Sequence, residues 1–184
     1  MRPALTTPAE SNDTVGHVIA LLERFPEIAT IASHPLAGSV VVSFAINGRL
    51  DRAARDGLRD SVVDHVRALM AAFGEEPQLL AVTWELDEKM SFIRVARDVR
   101  TLTRDELSML TALFAQRFGD ALLRSPAPEE VVDEDLGVQD DAVDYAIEAL
   151  RDGTDQKSLV GIREEKRVLV YFLKARKKSK RSAR

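Results

Sequence analysis

The run Ser39-Val-Val-Val-Ser-Phe-Ala-Ile-Asn-Gly-Arg-Leu50, continuing as DRAARDGLRDSVVDHVRALMAAF to Phe73, changes its hydrophobic period once and cleanly. Up to Ile46, Val40, Val42, Phe44 and Ile46 alternate onto one side of an extended chain, and Val41 and Ala45 make the other side apolar as well. A strand apolar on both sides belongs inside a sheet rather than at its edge. Asn47-Gly48 supplies residues that tolerate positive φ and breaks the strand. From Leu50 the period becomes helical: Leu50, Ala54, Leu58, Val62, Val66, Leu69 and Phe73 form one stripe, with Asp51, Arg52, Arg55, Asp56, Arg59, Asp60 and Arg67 elsewhere. Asp51–Arg55 and Arg52–Asp56 are spaced as surface ion pairs, and Gly74 ends the helix. A strand followed by a long amphipathic helix is the signature of a helix laid on a sheet.

Working outward, the same alternation recurs. Upstream, Ile28 to Ser33 reads as a strand joined to the first through a turn at Pro35 to Gly38. Ahead of it, Val15, Val18, Ile19, Leu22 and Phe25 predict a helix capped by Asp13 or Thr14 and stopped by Pro26. Downstream, Leu79 to Leu86 and Met90 to Val99 form a second hairpin around Asp87-Glu88-Lys89, with Trp84 in its core. Thr103-Arg104-Asp105-Glu106 has the pattern of a capping box, in which a Thr oxygen and a Glu carboxylate each satisfy a backbone N–H. It opens a helix through Leu107, Leu110, Leu113, Phe114 and Phe118, closed by Gly119. After an acidic, proline-flanked segment (Ser125 to Asp135), Val143, Ala146, Ile147 and Leu150 predict a helix over about 141–150. The last hairpin pairs Leu159–Arg163 with Arg167–Leu173, and its second strand is apolar on both faces, so it too belongs within the sheet.

The order is helix, hairpin, helix, hairpin, helix, helix, hairpin. The fold class this implies is α+β: an antiparallel sheet built from hairpins with amphipathic helices packed on one face. Residues 1–12 read as a flexible lead, 13–173 as a single domain, and 174–184 as a disordered basic tail.

Composition narrows the function classes. The 184 residues contain no cysteine, which removes thiol catalysis, disulfides and Cys-ligated metal centres. No apolar run reaches membrane-spanning length and no secretory signal is visible, so the expected address is cytoplasmic. His17, His34 and His65 fall in three different elements without a ligand partner one turn away. Asp133, Asp135 and Asp141 do not match a calcium-binding loop, nor does Gly137 supply its central glycine. No phosphate loop, nucleophile elbow or His-Glu-x-x-His is present. No catalytic residue, metal or cofactor is therefore expected, and the chain is expected not to be an enzyme.

Charge is the remaining signal. The net charge of −4 averages two opposed fields. Residues 127–155 carry about −10 and residues 156–184 about +9. Within the latter, Lys174, Arg176, Lys177, Lys178, Lys180, Arg181 and Arg184 occupy seven of the last eleven positions. Such a segment binds phosphates by releasing counterions and carries no aromatic residue to stack a base. A secondary basic row, Arg94, Arg97, Arg100 and Arg104, runs along the second hairpin beside Phe92, although Glu85, Asp87, Glu88 and Asp98 lie on the same hairpin to neutralise it. The acidic segment from Glu129 to Asp144 is read as a solvated face or as a dock for the protein's own tail. These features point to a small non-enzymatic binding or accessory protein whose basic tail contacts nucleic acid, with RNA or the ribosome favoured. The alternative is a homodimeric protein–protein interaction module using helix 50–73 or the last hairpin, that is, a homo-oligomer.

Overall fold

The computed structural model describes residues 5–8, 13–124, 133–152, 157–164 and 167–173. Its elements are β1 (Leu5–Pro8), α1 (Asp13–Arg24), β2 (Thr30–His34), β3 (Ser39–Asn47), α2 (Arg52–Ala72), β4 (Leu80–Leu86), β5 (Met90–Asp98), α3 (Arg104–Phe118), α4 (Asp133–Asp152), β6 (Leu159–Glu164) and β7 (Arg167–Leu173). The seven strands make one sheet in the order β1-β7-β6-β2-β3-β5-β4, antiparallel at every pairing. This is the α+β fold expected from the hairpins, with β3 and β7 interior as their two apolar faces require.

Register divides the sheet into two unlike faces. Ile31, Val42, Val95 and Val82 share one transverse row, and Phe44, Ile93 and Trp84 the next. These side chains join Leu22 and Phe25 of α1, Leu58, Val62, Val66 and Met70 of α2, Leu110 and Phe114 of α3, and Val143 and Ile147 of α4 in a single core. Phe44 and Phe114 stack at 3.9 Å with ring planes 10° apart, which seats α3 on the middle of the sheet. At Gly161 in β6, α1 comes so close that an added Cβ would lie 2.4 Å from Val18 and 2.7 Å from Leu22. The opposite face carries Ala32, Val41, Phe92, Ala96, Ile162, Leu169 and Tyr171, all half-buried, and none of them enters that core.

Several boundaries differ from the sequence reading, each for a local reason. Leu5–Pro8, read within a flexible lead, forms a short edge strand against β7; proline is tolerated there because an edge strand has backbone groups with no ladder to join. In α2, Asp51 caps the helix by accepting from the Ala54 N–H at 2.7 Å, so its carboxylate is committed to the backbone rather than to Arg55. The helix ends at Ala72, which leaves Phe73 58% exposed and puts Met70 on the buried stripe after Leu58, Val62 and Val66. Helix α4 starts at Asp133, eight residues earlier than its apolar stripe suggested, because acidic residues suit the positive end of a helix. Among the described residues no helix is long and apolar enough to cross a membrane.

Candidate functional site

The seven tail residues, Lys174 to Arg184, lie outside the described residues. The secondary row lies within them, and the structure separates its members. Arg97 projects to the helix-covered face of β5, between Val40 of β3 and Leu80 of β4 in register, and is fully buried. Arg94, with the same chain direction but odd-even phase reversed, projects to the opposite face and pairs with Glu85 of β4. Arg100 lies past the end of β5 and reaches Glu75 at 3.3 Å. Arg104 opens α3 and bonds Asp140 at 2.8 Å and Asp144 at 3.5 Å. The four thus form no continuous cationic surface. Alternation of side chains along a strand sends Arg94 and Arg97 to opposite faces, which the linear row conceals.

Arg97 is the centre of a buried polar cluster. Its Nε donates to Glu106 Oε1 at 2.6 Å and its Nη2 to Glu106 Oε2 at 2.8 Å, a two-pronged pairing between β5 and the first turn of α3. Nη1 donates to Asp98 Oδ1 at 2.6 Å and to the Leu79 carbonyl at 2.9 Å, and Nη2 also reaches Thr101 Oγ1 at 3.1 Å. All five guanidinium donors are thereby used. Asp98 accepts in turn from the Leu79 N–H (3.0 Å), the Thr101 N–H (3.1 Å) and the Thr101 hydroxyl (2.7 Å). Burial alone would raise the Asp98 carboxyl, but the Leu79 N–H, the Thr101 hydroxyl and the Arg97 charge outweigh it and hold Asp98 down at about 2. Burial pushes Glu106 up, against the pull of Arg97. The capping box is half realised: Thr103 accepts from the Glu106 N–H at 3.2 Å, while the Glu106 carboxylate is spent on Arg97. A fully satisfied buried cluster of this kind locks α3 to the sheet and has no free group for chemistry.

Two described residues of the acidic stretch, Asp140 and Asp144, are tied into the body as well. Asp140 of α4 accepts from Arg24 Nε of α1 at 2.7 Å and from Arg104 of α3, so one carboxylate joins three helices. A cleft of about 450 Å³ opens beside Ala37, Gly38, Gln78, Leu79, Asp98, Val99, Arg100 and Arg151. Its charged groups are engaged: Arg151 donates to the carbonyls of Val99 (3.2 Å) and Leu102 (2.7 Å) and to Glu148, Arg100 reaches Glu75, and Asp98 serves Arg97. His17 packs edge-on against Tyr145, His34 lies 3.3 Å from Ser158 Oγ with its pKa lowered by burial, and His65 meets the Ser61 carbonyl at 2.7 Å. Among the described residues no three side chains of metal-ligating type converge. Trp84, read as core, packs on the margin of the core from the last strand of the sheet and stays half-buried.

Two surfaces remain distinctive: the half-buried apolar face of the sheet, and its edge at β4. Sequence reasoning missed both, since neither the side a helix covers nor the order of strands can be read along the chain. No protein-family model matches the chain, and neither does a curated protein or a solved structure.

Proposed function

We propose that the chain is a small non-enzymatic binding or accessory protein that contacts nucleic acid, RNA or the ribosome in preference to DNA, through residues 174–184. The supporting observation is how the body uses its cations. Each of Arg94, Arg97, Arg100 and Arg104 faces a carboxylate of the same chain, and so do Arg24 and Arg151. The seven positive charges of residues 174–184 leave −11 on residues 1–173 of a chain whose net charge is −4. A body of that charge repels a phosphate backbone, so any affinity for one belongs to the last eleven residues. The absence of aromatic residues there limits the contact to phosphates and makes it indifferent to base sequence.

The test is fluorescence anisotropy with a labelled single-stranded RNA, comparing the full chain with residues 1–173 over a salt series. The full chain is expected to bind with a log–log salt slope no steeper than about −5, the value for seven neutralised phosphates on a single strand. The shortened chain is expected to lose that binding. Equal affinity of the two forms, or binding insensitive to salt, sinks the reading.

A further inference from the structure

The sheet has two ends, β1 and β4. β1 is four residues long, finishes at Pro8 and pairs with β7 through an irregular register. Shortness, proline and irregularity all discourage further strand pairing. β4 has none of these features. Its seven residues, Leu80-Ala-Val-Thr-Trp-Glu-Leu86, contain no proline or lysine and pair with β5 in unbroken register from Leu80–Arg97 to Leu86–Ser91.

The phase of that ladder is set at its two ends, where the Asp87 N–H donates to the Met90 carbonyl and the Asp98 N–H to the Leu79 carbonyl. Odd-numbered residues of β4 therefore turn their backbone groups toward β5, as alternation in an antiparallel pair requires. Leu80, Val82, Trp84 and Leu86 turn theirs outward, where no strand among the described residues meets them.

We infer that β4 pairs with β4 of a second copy of this chain, antiparallel about a two-fold axis at Thr83. Three features favour a second copy over an unrelated strand. The outward-facing residues number four and are spaced symmetrically about Thr83, so this one register uses all of them at once, Leu80 with Leu86 of the second copy and Val82 with its Trp84. On the helix-covered side both pairings are apolar, and they cover Leu80, Val82, Trp84 and Leu86, each half-buried in a single copy. On the other side Thr83, the one exposed residue of β4, meets itself, while each Glu85 stays beside its own Arg94 and faces Ala81. No like charges are opposed. The product is a two-fold dimer in which two sheets continue into one.

Sedimentation equilibrium of the full chain across the micromolar range is expected to show a monomer–dimer equilibrium. Thr83→Lys and Thr83→Glu each place like charges across the axis and are expected to weaken self-association by about twofold to fivefold. An equimolar mixture of the two variants restores it, because only a register centred on Thr83 sets the new charges opposite one another. Circular dichroism and thermal midpoints check that both variants fold. A wild-type monomer at every concentration, including one that takes up an extended peptide instead, overturns the inference, as does a dimer that survives both variants or is not restored by mixing them. Removing residues 174–184 leaves the self-association unchanged, so this inference and the nucleic-acid reading fail separately.

Discussion

Arg97 and Asp98, neighbours at the end of β5, together form the hub of a buried polar cluster. Burying a cation at 0% exposure is tolerable only when every donor has an acceptor, and here Glu106, Asp98, Thr101 and the Leu79 carbonyl supply them. Asp98 makes the cluster sensitive to acid. Its folded value of about 2 against an ordinary 3.8 means that the native state binds the proton less readily than the unfolded chain. The resulting stability, about 2 kcal/mol, is present in full above the ordinary value and is lost as pH falls through it toward 2. Burial pushes Glu106 the opposite way, so the loss of stability in acid belongs to Asp98. Denaturant unfolding of the wild type and of Asp98→Asn from pH 6 to pH 2 should therefore show the stability difference shrinking only below about pH 4. A difference that stays constant with pH would mean that Asp98 titrates normally.

The elements themselves were largely visible as periodicities, since burial on one side of a helix or strand imposes 3.6 or 2 on the apolar positions. Their contacts were not. Gly161, within the strand that the sequence places at Leu159–Arg163, is where α1 meets the sheet, with Val18 and Leu22 filling the space a side chain would need. Gly161→Ala should destabilise the protein by about 1–3 kcal/mol through overpacking, although alanine is the better strand residue by propensity. Urea unfolding measures the change, and a neutral or stabilising result would show that α1 can rise off β6 at no cost. The capping box at Thr103 makes the same point from the other side. Its Thr half is local and appears as the sequence implies, whereas its Glu half is drawn away by a buried arginine that no local pattern announces.

Across the whole molecule, charge is the property that the chain order displays most openly. With −11 on residues 1–173 and +7 on residues 174–184, the body opposes any polyanion the last segment holds. A synthetic peptide of residues 174–184 should therefore bind single-stranded RNA more tightly than the full chain at low salt, with the difference closing as the Debye length shrinks toward about 8 Å at physiological ionic strength. Anisotropy titrations at low and physiological salt would check this, and a full chain that binds as tightly as the peptide at low salt would argue that the body contributes contacts of its own.

Apart from β1, helix and strand identity, the antiparallel pairing of neighbours and the interior position of β3 could all be read from residue order, because each follows from short-range periodicity and turn chemistry. The fate of individual charges could not. Whether an arginine meets water, a phosphate or a carboxylate depends on which strand lies beside it and which helix lies above it, and those are distances through space between residues far apart in the chain. The same reason places the edge at β4 and the second apolar face of the sheet beyond the reach of the sequence: both are defined by what strand order and helix placement among the described residues leave unpaired.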